Sequence, residues 1–169
     1  KETIKDWELG FAPDSWHGLE EFLRVSGYSA EEIFQAGLVV KKDDGGYYDR
    51  FRSRIIFPIF DISGQVVGFA GRIFGKQDNM RGKYINAPQT QIYDKGKLLY
   101  GLDKAKIDVR GENQCVLVEG NLDVIMSNQA GVKNVVACSG TALTEEHLKI
   151  IKRYTDNIAL CFDEDEAGN

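Results

Sequence analysis

The sequence predicts two folds in series: an α+β N-terminal part of short helices and an antiparallel β meander over residues 1–110, then an α/β part with a parallel sheet over 111–169. Three observations predict this. Helical segments within 18–37 give way from Leu38 to β-branched and aromatic runs separated by Asp/Gly turns. From Cys115 the rhythm becomes β-α-β-α-β with apolar strands, the pattern of a parallel sheet covered by helices. Between the two, Arg110-Gly111-Glu112-Asn113 reads as a turn and as the boundary.

Taken in order, residues 18–37 read as two short helices, the second opening with the capping box Ser29-Ala30-Glu31-Glu32 and closing at Gly37. Val39-Val40, Ile55 to Phe60 and Val66 to Phe74 read as strands of one meander, with turns at Asp43-Asp44-Gly45-Gly46 and Asp61-Ile62-Ser63-Gly64. Gly68 and Gly71 inside the last strand signal a bulge or a close backbone approach. A short helix is expected at Leu102 to Ile107. The α/β part then predicts strands at Cys115 to Val118, Asn134 to Cys138 and Ile158 to Phe162. Its helices are expected at Leu122 to Ala130 and from a Thr144 cap to about Tyr154.

With 169 residues, 43% hydrophobic residues and only 3 Pro, the chain is long enough to bury a core, and collagen-like, disordered and disulfide-scaffold classes are excluded. No apolar run reaches membrane-spanning length and the N-terminus lacks the order of a secretory signal, so a cytoplasmic protein with no membrane partner is expected. The chain lacks an initial Met and stops behind an acidic cluster, which reads as an excised piece. Cys115, Cys138 and Cys161 have neither CxxC spacing nor an even count; equal intervals of 23 place them as buried small residues in successive strands. His17 and His147 have no suitable catalytic partners nearby, and His147 falls on a solvent-facing helix pattern.

The net charge of −5 conceals an asymmetry: residues 50–110 carry 12 basic against 5 acidic residues, whereas 111–169 carry 4 against 10. A basic block beside an acidic one suggests a polyanion-binding surface beside a metal site. Tyr47, Tyr48, Phe51 and Phe57 interleave with Arg50, Arg52 and Arg54; stacking on single-stranded bases is open to them, but core packing of the meander suits most of them better.

Ligands of parallel α/β sheets bind at the carboxyl ends of strands. There the sequence places Glu119-Gly120, Ser139-Gly140-Thr141 and Asp163-Glu164-Asp165, with Asp123 one helical turn from Glu119. Clustered carboxylates repel unless a cation neutralises them. Oxygen donors without Cys or His suit Mg²⁺, so the residues alone point to a metal site acting on phosphate groups. No P-loop or nucleophile elbow is present.

Three stretches resemble the signatures of a Toprim domain: Val118-Glu119-Gly120-Asn121-Leu122-Asp123-Val124, Ser139 to Thr144, and Phe162 to Gly168. Upstream, Gly10-Phe11-Ala12-Pro13, Asp49 to Ile59, Gly68-Phe69-Ala70-Gly71-Arg72, Lys83 to Pro88 and Lys95 to Gly101 resemble the N-terminal half of the RNA polymerase core of bacterial DnaG-type primases. The resemblance implies synthesis of short RNA primers on a single-stranded DNA template from nucleoside triphosphates during replication, with Mg²⁺ or Mn²⁺. It implies Glu119, Asp163 and Asp165 as catalytic metal-site acids, Asp123 as a supporting acid, and Arg72, Lys83, Asn86 and Lys95 as residues handling template and nucleotide. It also implies zinc-binding and replicative-helicase-binding parts that are absent here, and a Toprim domain that continues past residue 169. Where the family has Glu-Gly-Tyr-Met-Asp this chain has Asn121 in place of the aromatic, and where it has Asp-Gly-Asp this chain has Glu164 in the middle. Two other classes stay open on the residues: another Toprim enzyme, nuclease or topoisomerase-like, and a single-stranded-DNA-binding module without catalysis.

Overall fold

The computed structural model describes residues 1–75 and 82–162. Among these, the chain forms two compact units. The first comprises Lys1–Pro58 and Val67–Tyr93; the second comprises Ile59–Val66 and the chain from Asp94 onward.

The first unit opens with α1 (Glu2–Asp6), β1 (Gly10–Ala12), α2 (Gly18–Val25) and α3 (Ala30–Gln35). The predicted cap of α3 is present: Ser29 Oγ accepts from Glu32 N–H at 3.2 Å and Glu32 accepts from Ser29 N–H at 2.8 Å. Instead of one meander there are two sheets. β2 (Val39–Lys41) and β3 (Tyr47–Asp49) form an antiparallel pair of their own, whereas β4 (Arg54–Phe60), β5 (Val66–Ile73) and β6 (Tyr84–Asn86) join β1 in the order β1-β4-β5-β6. The separation has a physical cause. Asp49, at the end of β3, is buried and accepts from the N–H groups of Leu19 (2.7 Å) and Glu20 (3.0 Å), so this hairpin caps α2.

β5 makes the close approach its glycines foretold. A Cβ at Gly71 would sit 2.8 Å from Phe51 Cδ1, and one at Gly68 would sit 3.1 Å from the Tyr93 ring. Phe57, Ile59 and Ala70 are fully or almost fully buried.

In the second unit a 3-10 turn (Lys95–Lys97) precedes α4 (Leu102–Gly111), β7 (Cys115–Val118), α5 (Asn121–Gln129), β8 (Val135–Ala137), α6 (Glu145–Ile151) and β9 (Ile158–Leu160). α4 extends past Ile107 into the first half of the segment expected to be a turn, ending at Gly111, because Leu102, Ala105 and Val109 pack on Leu117 and Val136 in one core; the turn follows at Glu112 and Asn113, the latter with φ +49°. The sheet is parallel, in the order β8-β7-β9, with β7 central. Tyr100 adds an antiparallel bridge to Ala137 beside β8.

Two expectations are corrected. Cys115 and Cys138 are buried, but Cys161 is exposed: it follows β9, whose first and last residues are themselves exposed, whereas Cys138 follows the fully covered β8. His147 does not face solvent; it is completely buried. Among the described residues no helix is long and apolar enough to cross a membrane.

Candidate active site

β7 ends at Val118, so Glu119 is the first residue past the central strand, where its carboxylate stands half-buried at the carboxyl edge of the sheet. Gly120 then caps α5. A Cβ there would fall 2.8 Å from Asp123 Oδ2, and that oxygen accepts from the Gly120 N–H at 3.0 Å. Asp123 is exposed, and its Oδ2 holds the turn that carries Glu119.

The turn after β8 closes against this one. Ser139 and Gly140 both have positive φ, +53° and +77°, and Ser139 Oγ donates to Asn121 Oδ1. Asn121 is 3% exposed, so the polar residue standing where the resembled family has an aromatic is a buried partner of the neighbouring turn. A non-glycine residue in the left-handed region is held there by its surroundings, as happens at functional turns.

On the other side of β7 the register pairs Leu117 with Leu160, and Cys161 N–H donates to the Leu117 carbonyl at 2.9 Å. The described chain therefore reaches the same edge at Phe162. Asp163 and Asp165 lie outside the described residues. Among the described residues no three His, Cys, Asp or Glu side chains gather closely enough to hold a metal ion. What is present is one half-buried carboxylate with a second one turn away. Oxygen donors in this number fit Mg²⁺, which is held by one or two carboxylates together with waters and substrate phosphates.

The basic residues separate by unit. In the first unit, Arg72 of β5 lies opposite Tyr84 of β6 and Ala70 lies opposite Asn86. Arg72 and Lys83 line a cavity of about 570 Å³ with Ile55, Ile73, Phe74 and Gly75. The buried Arg72 Nε has no hydrogen-bond partner among the described residues, and the guanidinium carbon stands 5.9 Å from the Tyr84 ring centroid. Lys95 belongs to the second unit, in the 3-10 turn.

Three arginines of the basic block serve the fold instead. Arg54 is buried and donates to the carbonyls of Gly71 (3.2 Å), Gly82 (3.0 Å) and Lys83 (3.3 Å). Arg50 donates to the Gly37 carbonyl at 2.8 Å, and Arg52 stacks 4.0 Å from the Trp16 ring and 5.0 Å from Tyr48. The aromatics interleaved with them divide accordingly: Phe51 and Phe57 are core, and Tyr48 packs on Arg52 and Trp16.

Sequence reasoning missed the Asn121–Ser139 pair and the burial of His147. The residue types gave a signal for the first, two small polar residues at successive strand ends, but not for the second, because His is rare at the third position of a capping box.

Comparisons with known proteins agree with this layout. Residues 1–106 match the family described as the DNA primase catalytic core, N-terminal domain, and residues 116–169 match the Toprim-like family. The chain is 47% identical over 167 residues to a DNA primase of Staphylococcus aureus, covering 98% of this chain and 27% of that protein. A crystal structure of a DNA primase domain from Pseudomonas aeruginosa superposes with a TM-score of 0.90 at 42% identity, covering 99% of this chain and 52% of that one. The DnaG primase catalytic domain bound to single-stranded DNA superposes with a TM-score of 0.85 at 40% identity, covering 99% and 53%. The chain thus spans about a quarter of the length of the curated relatives it matches. On the family match over residues 1–106, the Toprim-like match that follows and the superposition on primase cores, the chain belongs to the DnaG-type DNA primase catalytic core family.

Proposed function

We propose that the protein carrying this chain synthesises short RNA primers on single-stranded DNA from nucleoside triphosphates, by nucleotidyl transfer at the carboxyl edge of the β8-β7-β9 sheet. The observation that supports this most directly is the half-buried Glu119, set at the end of the central parallel strand and followed by a glycine turn, in a chain that matches primase cores. Glu119, with Asp163 and Asp165, would hold Mg²⁺ or Mn²⁺, and Asp123 would support the turn. A divalent ion there supplies charge neutralisation and activates a hydroxyl for in-line attack on phosphorus.

The chain's own residues do the rest. Glu119 stands on a braced backbone, because Asp123 holds the Gly120 N–H that follows it and Asn121 ties the same turn to Ser139. Arg72, Lys83 and Asn86 on β5, its flank and β6 offer cationic and amide donors to template phosphates and bases, and Lys95 offers a cation to the nucleotide. Placement and charge, more than covalent chemistry, lower the barrier in such transfers.

The test is ribonucleotide incorporation by the full-length protein on a single-stranded template with Mg²⁺. Glu119→Gln is expected to lower incorporation about 100-fold or more while single-strand affinity stays within twofold of wild type. Incorporation at the wild-type rate by this variant would remove Glu119 from the chemistry. Cleavage of the template in place of incorporation would favour a nuclease of the same Toprim class.

A further inference from the structure

His147 is a fully buried imidazole that no part of the chemistry above uses. Its Nδ1 accepts from the Thr144 N–H at 3.3 Å, so the ring proton resides on Nε2, which donates to the Lys95 carbonyl at 3.0 Å. Thr144 Oγ1 in turn accepts from the His147 N–H at 3.1 Å and donates to the Gly96 carbonyl at 2.7 Å. The box that caps α6 thus reaches across some 50 residues of sequence and grips two successive carbonyls of the 3-10 turn.

The opposite side of that turn is held as well. Asp94 Oδ1 accepts from the Gly96 N–H at 3.0 Å, and its other oxygen pairs with Lys97 Nζ at 3.2 Å. An ordinary capping box with Glu at its third position would satisfy the helix alone. A histidine there has a second nitrogen left over, and here that nitrogen points at the turn that carries Lys95. The turn lies in the same compact unit as Glu119, whereas Arg72, Lys83 and Asn86 lie in the other.

We propose that His147 and Thr144 are positioning residues that fix the Lys95-Gly96-Lys97 turn, so that Lys95 meets the polyphosphate of the incoming nucleoside triphosphate and not the template strand. This rests on the primase reading. Two successive carbonyls held by a buried imidazole and a half-buried hydroxyl restrict the backbone of the turn, and that backbone sets where the Lys95 side chain starts. Removing the imidazole frees the turn, so the loss falls on nucleotide binding while the carboxylate rim stays as it was.

The experiment uses the full-length protein and primer synthesis at varied nucleoside triphosphate. Lys95→Ala is expected to raise the nucleotide KM about 10-fold or more. His147→Ala is expected to raise it by a comparable factor with kcat within twofold and single-strand affinity unchanged. His147→Gln, whose side-chain amide places an N–H near the Nε2 position, restores most of the KM. In the double variant His147→Ala/Lys95→Ala the KM rises no further than in Lys95→Ala. If His147→Ala does not fold, Thr144→Val, which removes the hydroxyl from Gly96, is read the same way against Thr144→Ser.

A fall in kcat or in melting temperature with KM unchanged would make His147 merely a core residue and overturn the proposal, as would KM effects that multiply in the double variant. An unchanged KM in Lys95→Ala, with synthesis intact, overturns the positioning role and leaves the primase reading standing. Absence of primer synthesis by the wild-type protein overturns that reading, and this one with it.

Discussion

At the scale of single residues, Cys115 and Cys138 are buried while Cys161 is exposed, and the difference sets which thiol can react. Their equal spacing reads as buried small residues in successive strands, but only Cys115 lies in a strand, as the first residue of β7, whereas Cys138 and Cys161 stand one residue past β8 and β9. The spacing carries no information about which strand is central. Both β8 and β9 flank β7, but β8 is covered throughout and bridged by Tyr100 whereas β9 has its first and last residues exposed, so Cys138 is buried and Cys161 is not. Burial pushes the Cys115 thiol up to about 12, with Cys138 adding to it, and the Cys138 thiol up to about 11. Since the thiolate is the nucleophile, neither buried thiol is appreciably reactive at pH 8. Brief alkylation of the native protein at pH 8, followed by peptide mapping, is expected to modify Cys161 and leave the other two until denaturant is added. Both buried thiols hold their protons to higher pH folded than unfolded, so their contribution to stability is full below about 8.5 and declines as pH rises beyond it.

At the scale of elements, local signals were legible where a few neighbouring residues decide the structure. The Ser29 cap, the Gly37 stop at φ +74°, the three parallel strands and the helices between them follow from side chains within a turn or two of each other. The elements that escaped are those fixed from far away. β1 and β3 are three residues long, too short for alternation to show, and exist because β4 pairs with one and α2 needs Asp49 from the other. The carbonyls of the Lys95 turn are satisfied by an imidazole about 50 residues on, which no local window contains. Glycines in elements gave a mixed signal that the structure resolves. Gly71→Ala would drive a Cβ to 2.8 Å from Phe51 and 3.0 Å from Arg54 Cδ, so a destabilisation of about 1–3 kcal/mol is expected. Gly111→Ala, the last residue of α4 with nothing within 4 Å, should instead be neutral or stabilising by up to about 1 kcal/mol. Denaturant unfolding of the two variants beside wild type checks both signs.

At the scale of the whole molecule, the family boundary and the packing boundary are different things. The two family matches part between residues 106 and 116, near the turn that the sequence marks, whereas the compact units make their last division between Tyr93 and Asp94, with Ile59–Val66 already given to the second. Composition and rhythm change where one kind of sheet stops and another starts. Packing follows the apolar face of α4, whose buried residues sit on the parallel sheet's core. Charge has the same two levels. The basic block was legible as an excess over 50–110, and a count treats its members alike, but Arg50, Arg52 and Arg54 are bound into carbonyls and rings of their own unit while Lys83 is exposed beside the Arg72 cavity. If single strands bind through the exposed members, the two kinds of base must behave differently on replacement. Each phosphate neutralised contributes about 0.7 to the slope of log affinity against log salt for a single strand. Lys83→Ala is therefore expected to leave the melting temperature within a degree or two of wild type while lowering that slope by about 0.7. Arg54→Ala removes three charge-assisted hydrogen bonds, of whose acceptors the Lys83 carbonyl keeps the Ile73 N–H, and opens space under Gly71, so about 2–4 kcal/mol of stability should go, with the slope unchanged in the fraction that remains folded. Fluorescence anisotropy with a labelled oligonucleotide at several salt concentrations, beside thermal unfolding, separates them. A salt slope that drops equally in both variants would mean that Arg54 reaches the strand, and a slope near zero in wild type would remove the basic face from DNA binding altogether.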